Sequence, residues 1–126
     1  MPAAINFSDR PAHPAYSQAM EVKSPGRTLY VSGQVGAGAD GVVPPGVGDQ
    51  AKIAVANLNA VLAEAGMSNL DLAKLTIYLT DPGDLPAFFA GAAGTLPSPP
   101  PAITLLIVSG LSDPALKVEI EAIAAA

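Results

Sequence analysis

The apolar residues of the chain recur with a helical period in one region and with an alternating period in others. Residues 49–65 carry apolar side chains every three to four positions and are followed by Gly66, which predicts a helix. Residues 72–80 and 116–124 alternate between apolar and polar side chains, which is typical of strands with one buried face. Residues 103–108 form a run that is apolar except for Thr104, which predicts a strand buried on both faces.

Proline and glycine define the segments between these elements. Residues 1–15 contain three prolines and predict an extended N-terminal arm. Between residues 18 and 35, two strand-like runs flank a Ser-Pro-Gly-Arg turn at 24–27, which predicts a hairpin. Residues 33–48 contain six glycines and predict a loop, while a second, short helix is expected over residues 85–93.

The order of these elements indicates a single α+β domain over residues 1–126, with two helices on one face of a mixed sheet. We expect the other face of the sheet to carry enough apolar residues that a closed oligomer covers it. The composition favours the same interpretation, because the chain is 50% hydrophobic and only 13% charged. Such a surface is typical of a protein that buries part of itself in a partner chain.

Composition also excludes several kinds of site. The chain has no cysteine and one histidine, His13, so a metal site, a thiol nucleophile and a Ser-His-Asp triad are not expected, and no cofactor is predicted. A net charge of −5 without a basic cluster argues against nucleic-acid binding. No apolar run reaches the roughly 18 residues of a membrane span, and residues 1–15 lack a signal-peptide core. These observations predict a cytoplasmic protein.

Four segments, in order along the chain, resemble the Rid family of reactive-intermediate deaminases, also called the YjgF-type family. They are AYSQA at 15–19 with LYVSGQV at 29–35, QAKIAVANLNAVLAEAG at 50–66, KLTIYLTD at 74–81 and KVEIEAIA at 117–124. The resemblance implies a chorismate-mutase-like α+β fold and a homotrimer whose three sheets form a central barrel. It also implies that small-molecule ligands bind in clefts between adjacent subunits.

Family members hydrolyse imines or enamines derived from amino acids, such as 2-aminoacrylate, to 2-keto acids and ammonia. In them, an arginine after a Pro-Ala pair binds the substrate carboxylate with its planar guanidinium group. Here Pro101 and Ala102 are followed by Ile103, and no arginine occurs after Arg27. The resemblance therefore implies a divergent member with weak or no activity on 2-aminoacrylate. Its ligand is expected to be less anionic, more apolar or larger.

The resemblance also assigns the site residues. Glu119 would position or activate water, because a carboxylate in a cleft serves as general base or acid. The alternative is a solvated glutamate beside Lys117 and Glu121. The other positions assigned to substrate binding are Tyr16, Ser32, Gly33, Gln34, Ile103 and Leu105.

Each of these assignments has a structural alternative. The ring of Tyr16 could anchor the arm, and the segment at 32–34 could simply end a strand. Phe88 and Phe89 are predicted to belong to the core, and His13 to be solvated and without function.

Two functions stay open at this point. The first is a hydrolase that acts on a small imine, enamine or related carbonyl compound. The second is a non-catalytic trimer that binds a small molecule or acts like a chaperone. A translation-inhibiting ribonuclease has also been ascribed to the family, but the net charge of −5 disfavours it.

Overall fold

A four-stranded mixed sheet with two helices on one of its faces forms the centre of the structure. The structure is a computed structural model that describes residues 2–126. Its strands follow the order β3-β6-β4-β5, in which β4 and β5 run parallel and the other neighbours antiparallel. The elements are β1 Ala3–Ile5, β2 Ala19–Glu21, β3 Thr28–Val35, α1 Val47–Glu64, β4 Leu72–Leu79, α2 Leu85–Ala92, β5 Ala102–Ile107 and β6 Val118–Ala125. The predicted α+β class is confirmed.

The core lies between α1 and the sheet, where both surfaces are made of small or aliphatic side chains. The predicted alternation of β4 is confirmed, since Leu75 and Leu79 are buried while Thr76 and Tyr78 between them are only partly covered. In α1 the buried apolar positions recur at helical spacing, and they are Val47, Ala51, Ala54, Leu58 and Leu62. Because alanine is small, α1 can pack closely on the sheet. The helix begins two residues before the predicted start and ends one residue before the predicted end.

The predicted N-terminal hairpin is wrong. Strands β2 and β3 both exist, but β2 pairs with β1 in a separate two-stranded sheet and β3 pairs with β6. Within the predicted extended arm of residues 1–15, Ala3–Ile5 form a strand that pairs with Ala19–Glu21. The physical reason is strand length: β6 offers β3 an eight-residue partner, whereas β2 has three residues.

The prediction that residues 103–108 are buried on both faces is also wrong within one chain. Strand β5 is at the edge of the four-stranded sheet and pairs along its length only with β4. Leu106 and Ile107 keep 47% and 43% of their surface exposed. A mostly apolar run does not reveal whether the atoms that cover it belong to the same chain.

The face of the sheet opposite the helices, called the open face below, is mixed rather than apolar. Its side chains are Tyr30, Ser32, Lys74, Thr76, Tyr78, Thr104, Leu106, Glu119, Glu121 and Ile123. Lys74 donates a hydrogen bond of 2.7 Å to the Thr104 hydroxyl, so part of this face is held by polar contacts. The face also exposes Tyr30 and Leu106, so its expected burial in an oligomer stays a prediction.

Gln50 of α1 is fully buried and hydrogen-bonds backbone groups from two other segments. Its Nε2 donates to the carbonyls of Pro44 (2.8 Å) and Ala115 (3.0 Å), and its Oε1 accepts from the Lys117 N–H (2.8 Å). These bonds attach the loop before α1 and the approach to β6 to the same side chain.

We expect Gln50→Leu to lower the free energy of unfolding by about 2–4 kcal/mol, because three backbone groups lose their hydrogen bonds to a fully buried side chain. Urea unfolding measures the change. Gln18→Leu, at an exposed position of the arm, is the control and should change the free energy by less than about 0.5 kcal/mol. Equal unfolding midpoints for the two variants would contradict this role.

Candidate functional site

An apolar pocket of about 640 Å³ lies between the N-terminal arm, α2 with the segment that follows it, and strands β4 and β5. Its wall includes His13, Tyr16, Phe88, Phe89, Ile103 and Leu105. In the parallel β4–β5 register, Ile103 lies beside Leu75 and Leu105 beside Ile77. Both residues therefore lie on the sheet face that α2 covers.

The N-terminal arm reaches this pocket because Ser17 is fixed to the start of β5. Ser17 is buried, its N–H donates to the Pro101 carbonyl (3.0 Å), and its hydroxyl donates to the Pro100 carbonyl. Tyr16 precedes this anchor, so its ring is held at the pocket wall. Tyr16 thus lines the pocket, and it is also next to the residue that anchors the arm.

His13 stacks on Tyr16, with 4.4 Å between the ring centroids and 24° between the ring planes. Its Nδ1 accepts a 3.0 Å hydrogen bond from the Ala15 N–H. His13 is exposed, as predicted, but it lines the pocket, which the sequence did not indicate. The arm has no regular period, so no spacing rule could relate His13 to Tyr16.

Phe88 and Phe89 both line the pocket but differ in burial. Phe88 is 3% exposed and packs in the core, as predicted, while Phe89 is 56% exposed and lines the pocket. The two rings meet edge to face at 5.5 Å. Prediction of a core position for Phe89 is therefore wrong, because consecutive residues on a helix point in different directions.

The open face brings together a different set of predicted site residues. The Glu119 side chain lies directly over Gly33: a Cβ atom on Gly33 would be 2.4 Å from Glu119 Oε2. Strand β3 has an irregularity between Val31 and Gln34, so the segment that contains Gly33 departs from the regular ladder. Gln34 turns its side chain toward its own strand, where Nε2 donates to the Ser32 carbonyl at 3.1 Å.

Tyr78 and Glu121 form a pair beside Glu119 on the open face. The Tyr78 hydroxyl donates a hydrogen bond to Glu121 Oε1, and Glu119 is opposite Tyr78 in the β4–β6 register. The hydrogen bond to Glu121, with desolvation and the charges of both glutamates, raises the pKa of the Tyr78 phenol above its usual value. The Tyr78 phenol thus stays protonated and donates its hydrogen bond to Glu121. The neighbouring carboxylate, Glu119, does not accept that hydrogen bond.

The predicted site residues therefore form two groups on opposite faces of the sheet. Tyr16, Ile103 and Leu105 are in the apolar pocket, whereas Glu119 and the segment at 32–33 are on the open face. Within one subunit the sheet separates them. Any site that uses both groups must be assembled from two chains.

Residues 2–126 contain no group of three or more histidine or acidic residues that could hold a metal ion. Within the same range, neither α1 nor α2 has the length and hydropathy that a membrane crossing requires.

Gly33→Ala tests the contact between Gly33 and Glu119. The added methyl group would displace the Glu119 carboxylate, which is the flexible end of a side chain, so we expect a cost below about 1 kcal/mol in folding. An activity that depends on Glu119 should fall by about tenfold or more. Urea unfolding and a rate assay on the same samples measure the two effects.

Gly36→Ala is the matched control for this prediction. A Cβ atom on Gly36 would be 2.5 Å from the Gln50 Cα in the backbone of α1, which cannot move aside as a side chain can. We expect a loss of about 1–3 kcal/mol in stability. If Gly33→Ala destabilises the protein as much as Gly36→Ala, Glu119 is not free to move and the prediction is wrong.

Comparisons with known proteins give consistent results over nearly the whole chain. A protein-family model described as Endoribonuclease L-PSP matches residues 7–126. A solved structure from Yersinia pestis, YyfB, a protein of unknown function of the conserved Rid protein family, superposes with a TM-score of 0.83. It is 34% identical, and the match covers 99% of this chain and 98% of that one.

Two curated relatives are similar over most of this chain. The mitochondrial protein mmf2 of Schizosaccharomyces pombe is 37% identical over 123 residues, which are 96% of this chain and 95% of the relative. A protein of Dermatophagoides farinae named 2-iminobutanoate/2-iminopropanoate deaminase is 34% identical over 110 residues, covering 86% of this chain and 83% of the relative.

Proposed function

Because the chain belongs to the Rid (YjgF, endoribonuclease L-PSP) family, we propose that it hydrolyses a small imine, enamine or related carbonyl compound in a cleft between two subunits. The observation that carries this proposal is the separation of the candidate residues onto opposite faces of the sheet. A catalytic carboxylate and an apolar binding wall become one site only when a second subunit is present.

The proposed assembly is a homotrimer in which the open face of each subunit meets the apolar pocket of the next. A contact between two different surfaces closes into a ring when each step is a third of a turn. Such a contact would also cover Leu106 and Ile107, the exposed apolar residues of the edge strand. Light scattering tests it: a monomer at micromolar concentration would contradict the shared cleft.

In the proposed reaction, Glu119 of one subunit acts on water beside a ligand that the pocket of the neighbour holds. Glu119 accepts a proton as the water oxygen bonds to the imine carbon, and the nitrogen takes up a proton. The C–N bond of the resulting carbinolamine then breaks, so that a carbonyl compound and ammonia leave. Tyr16 and the backbone at Ser32 and Gly33 would orient the ligand.

Ile103 supports a substrate preference that differs from that of the deaminases named among the relatives. It lines the pocket at the position after Pro101 and Ala102, where the resemblance implies a carboxylate-binding arginine. We therefore propose weak or no activity on 2-aminoacrylate and on 2-iminopropanoate.

The test measures imine hydrolysis by the purified protein above the spontaneous rate. We expect acceleration for at least one imine and little for 2-iminopropanoate. Rapid turnover of 2-iminopropanoate would contradict the assigned role of Ile103.

The second candidate function is a non-catalytic trimer that binds a small molecule. It is favoured by the pocket itself, whose named wall residues are mostly apolar and form a cavity of about 640 Å³. Binding of ligands without acceleration of any imine would support this function over the first.

We also propose a cytoplasmic location, which suits a chain without cysteine. The fission-yeast relative is named as a mitochondrial protein. Fractionation of the source cells tests the proposal, and recovery of the protein from another compartment would contradict it.

A further inference from the structure

We propose that the preferred substrates are imines with an uncharged apolar group about the size of a phenyl ring and no carboxylate. This inference rests on the proposed function, and it specifies the substrate class of the same cleft. Three properties of the apolar pocket support it: its size, the charge of its wall and the position of Phe89.

In one subunit, before a neighbour covers it, the pocket has room for more than a three-carbon substrate. Cavities of about 300–1,000 Å³ enclose ligands of drug-like size, and this one has about 640 Å³. A 2-imino acid derived from alanine would leave most of this volume to water. A ligand with an aromatic or branched apolar group would displace that water and bury its own surface.

The charged groups near the wall give no counterion to a carboxylate. Among residues 2–126, no lysine or arginine lines the pocket. Arg10 is paired with Asp9 at 2.8 Å, and Arg27 donates to the Ala65 carbonyl. The remaining candidate on the wall is His13, whose Nδ1 already accepts the Ala15 N–H and so does not donate to a ligand.

In the proposed assembly, the neighbouring subunit brings the carboxylate of Glu119 to the ligand. Lys74 on the same face is aligned with Ile123, four residues farther along β6, which is about 13 Å along the strand. Lys117, two residues before Glu119, is the cation nearest to it along the chain. Among residues 2–126, the pocket wall itself has no lysine or arginine, so a substrate carboxylate would be desolvated near Glu119 without a cation on that wall, which is unfavourable.

Phe89 provides an aromatic surface for the apolar group. Its ring is 56% exposed, and it lines the pocket together with Tyr16. A phenyl group between such rings gains offset or edge-to-face contacts in addition to its buried area. The reaction is unchanged: water adds across the C=N bond, the C–N bond breaks, and an aldehyde or ketone leaves with ammonia, without any oxidant or reductant.

Binding of a matched pair of carbonyl products tests the inference without relying on catalysis. Phenylacetone and phenylpyruvate share the benzyl ketone unit and differ in a methyl group against a carboxylate. By isothermal titration calorimetry, we expect phenylacetone to bind at least about tenfold more tightly. Equal or tighter binding of phenylpyruvate, or no binding of either ligand at millimolar concentration, would overturn the inference.

Two pairs of variants locate the effect in the pocket. Phe89→Ala should weaken phenylacetone binding by about fivefold or more, while Phe7→Ala, which removes a 51% exposed ring outside the pocket, should not. Ile103→Arg should favour phenylpyruvate, and Ile103→Gln, of similar length but uncharged, should not. If Ile103→Arg does not fold, the comparison of the two ligands on the wild type and the comparison of Phe89→Ala with Phe7→Ala still test the inference.

Catalysis is compared with imines generated in the assay from phenylethylamine by an amine oxidase and from phenylalanine by an amino-acid oxidase. Faster hydrolysis of the amine-derived imine is the expected result. Faster hydrolysis of the amino-acid-derived imine overturns the inference but leaves the proposed function intact. If neither imine is accelerated while phenylacetone binds preferentially, the proposed function fails and the ligand class stands.

Discussion

Glu119→Gln is expected to lower kcat for imine hydrolysis by about 10²–10⁴-fold, because the amide cannot accept the proton from water. The amide has nearly the same size and still fits over Gly33, so folding and assembly should be unchanged. Hydrolysis of the best imine substrate, with urea unfolding and light scattering on the same samples, measures the three properties. The expected pattern is a loss of rate alone.

Glu21→Gln is the control for this variant. Glu21 is an exposed glutamate of β2, within 3.6 Å of Lys23 and outside both groups of candidate residues. It should retain the wild-type rate. If Glu119→Gln also retains every activity of the wild type, Glu119 has no catalytic role and the protein is better described as a binding trimer.

Mixing two inactive variants should restore about one quarter of the wild-type rate, if each cleft takes Glu119 from one subunit and the pocket from the next. The first variant is Glu119→Gln, which keeps the pocket. The second is Ala93→Trp, which fills the pocket from an exposed position after α2 and keeps Glu119. In randomly mixed trimers, a quarter of the clefts combine an intact Glu119 with an intact pocket.

The experiment compares each variant alone with a coexpressed mixture. Ala90→Trp is the control, because Ala90 is exposed on α2 but is not part of the pocket wall. It should be active alone. If the mixture is as inactive as its components, while light scattering shows mixed trimers, the site is not shared between subunits.

Local sequence pattern predicted the elements whose burial repeats along the chain. The spacing of Ala51, Ala54, Leu58 and Leu62 defines α1 without reference to any other segment. The alternation in β4 and β6 works in the same way, because one covered face is sufficient to produce it. These signals depend on a residue and its neighbours within two turns or a few strand positions.

The pairing of strands could not be predicted in this way. The turn at 24–27 suggested that the runs on either side pair with each other, but β3 pairs with β6, which is some ninety residues away in the chain. Hydrogen-bonding groups on a strand edge are the same whichever strand meets them. Length and packing of the partner decide the choice, and neither is visible at the turn.

Residue patterns along the chain were enough to predict the α+β class, the family resemblance and the candidate site residues, and they show that no arginine follows Arg27. Which of the site residues share a face depends on the pairing of strands in the folded sheet. The register of β5 beside β4 directs Ile103 and Leu105 toward α2, and the register of β6 directs Glu119 to the open face. Side chains alternate along a strand, so a shift of one residue would exchange the two faces. That register is set by backbone hydrogen bonds between distant segments, which local periodicity does not contain.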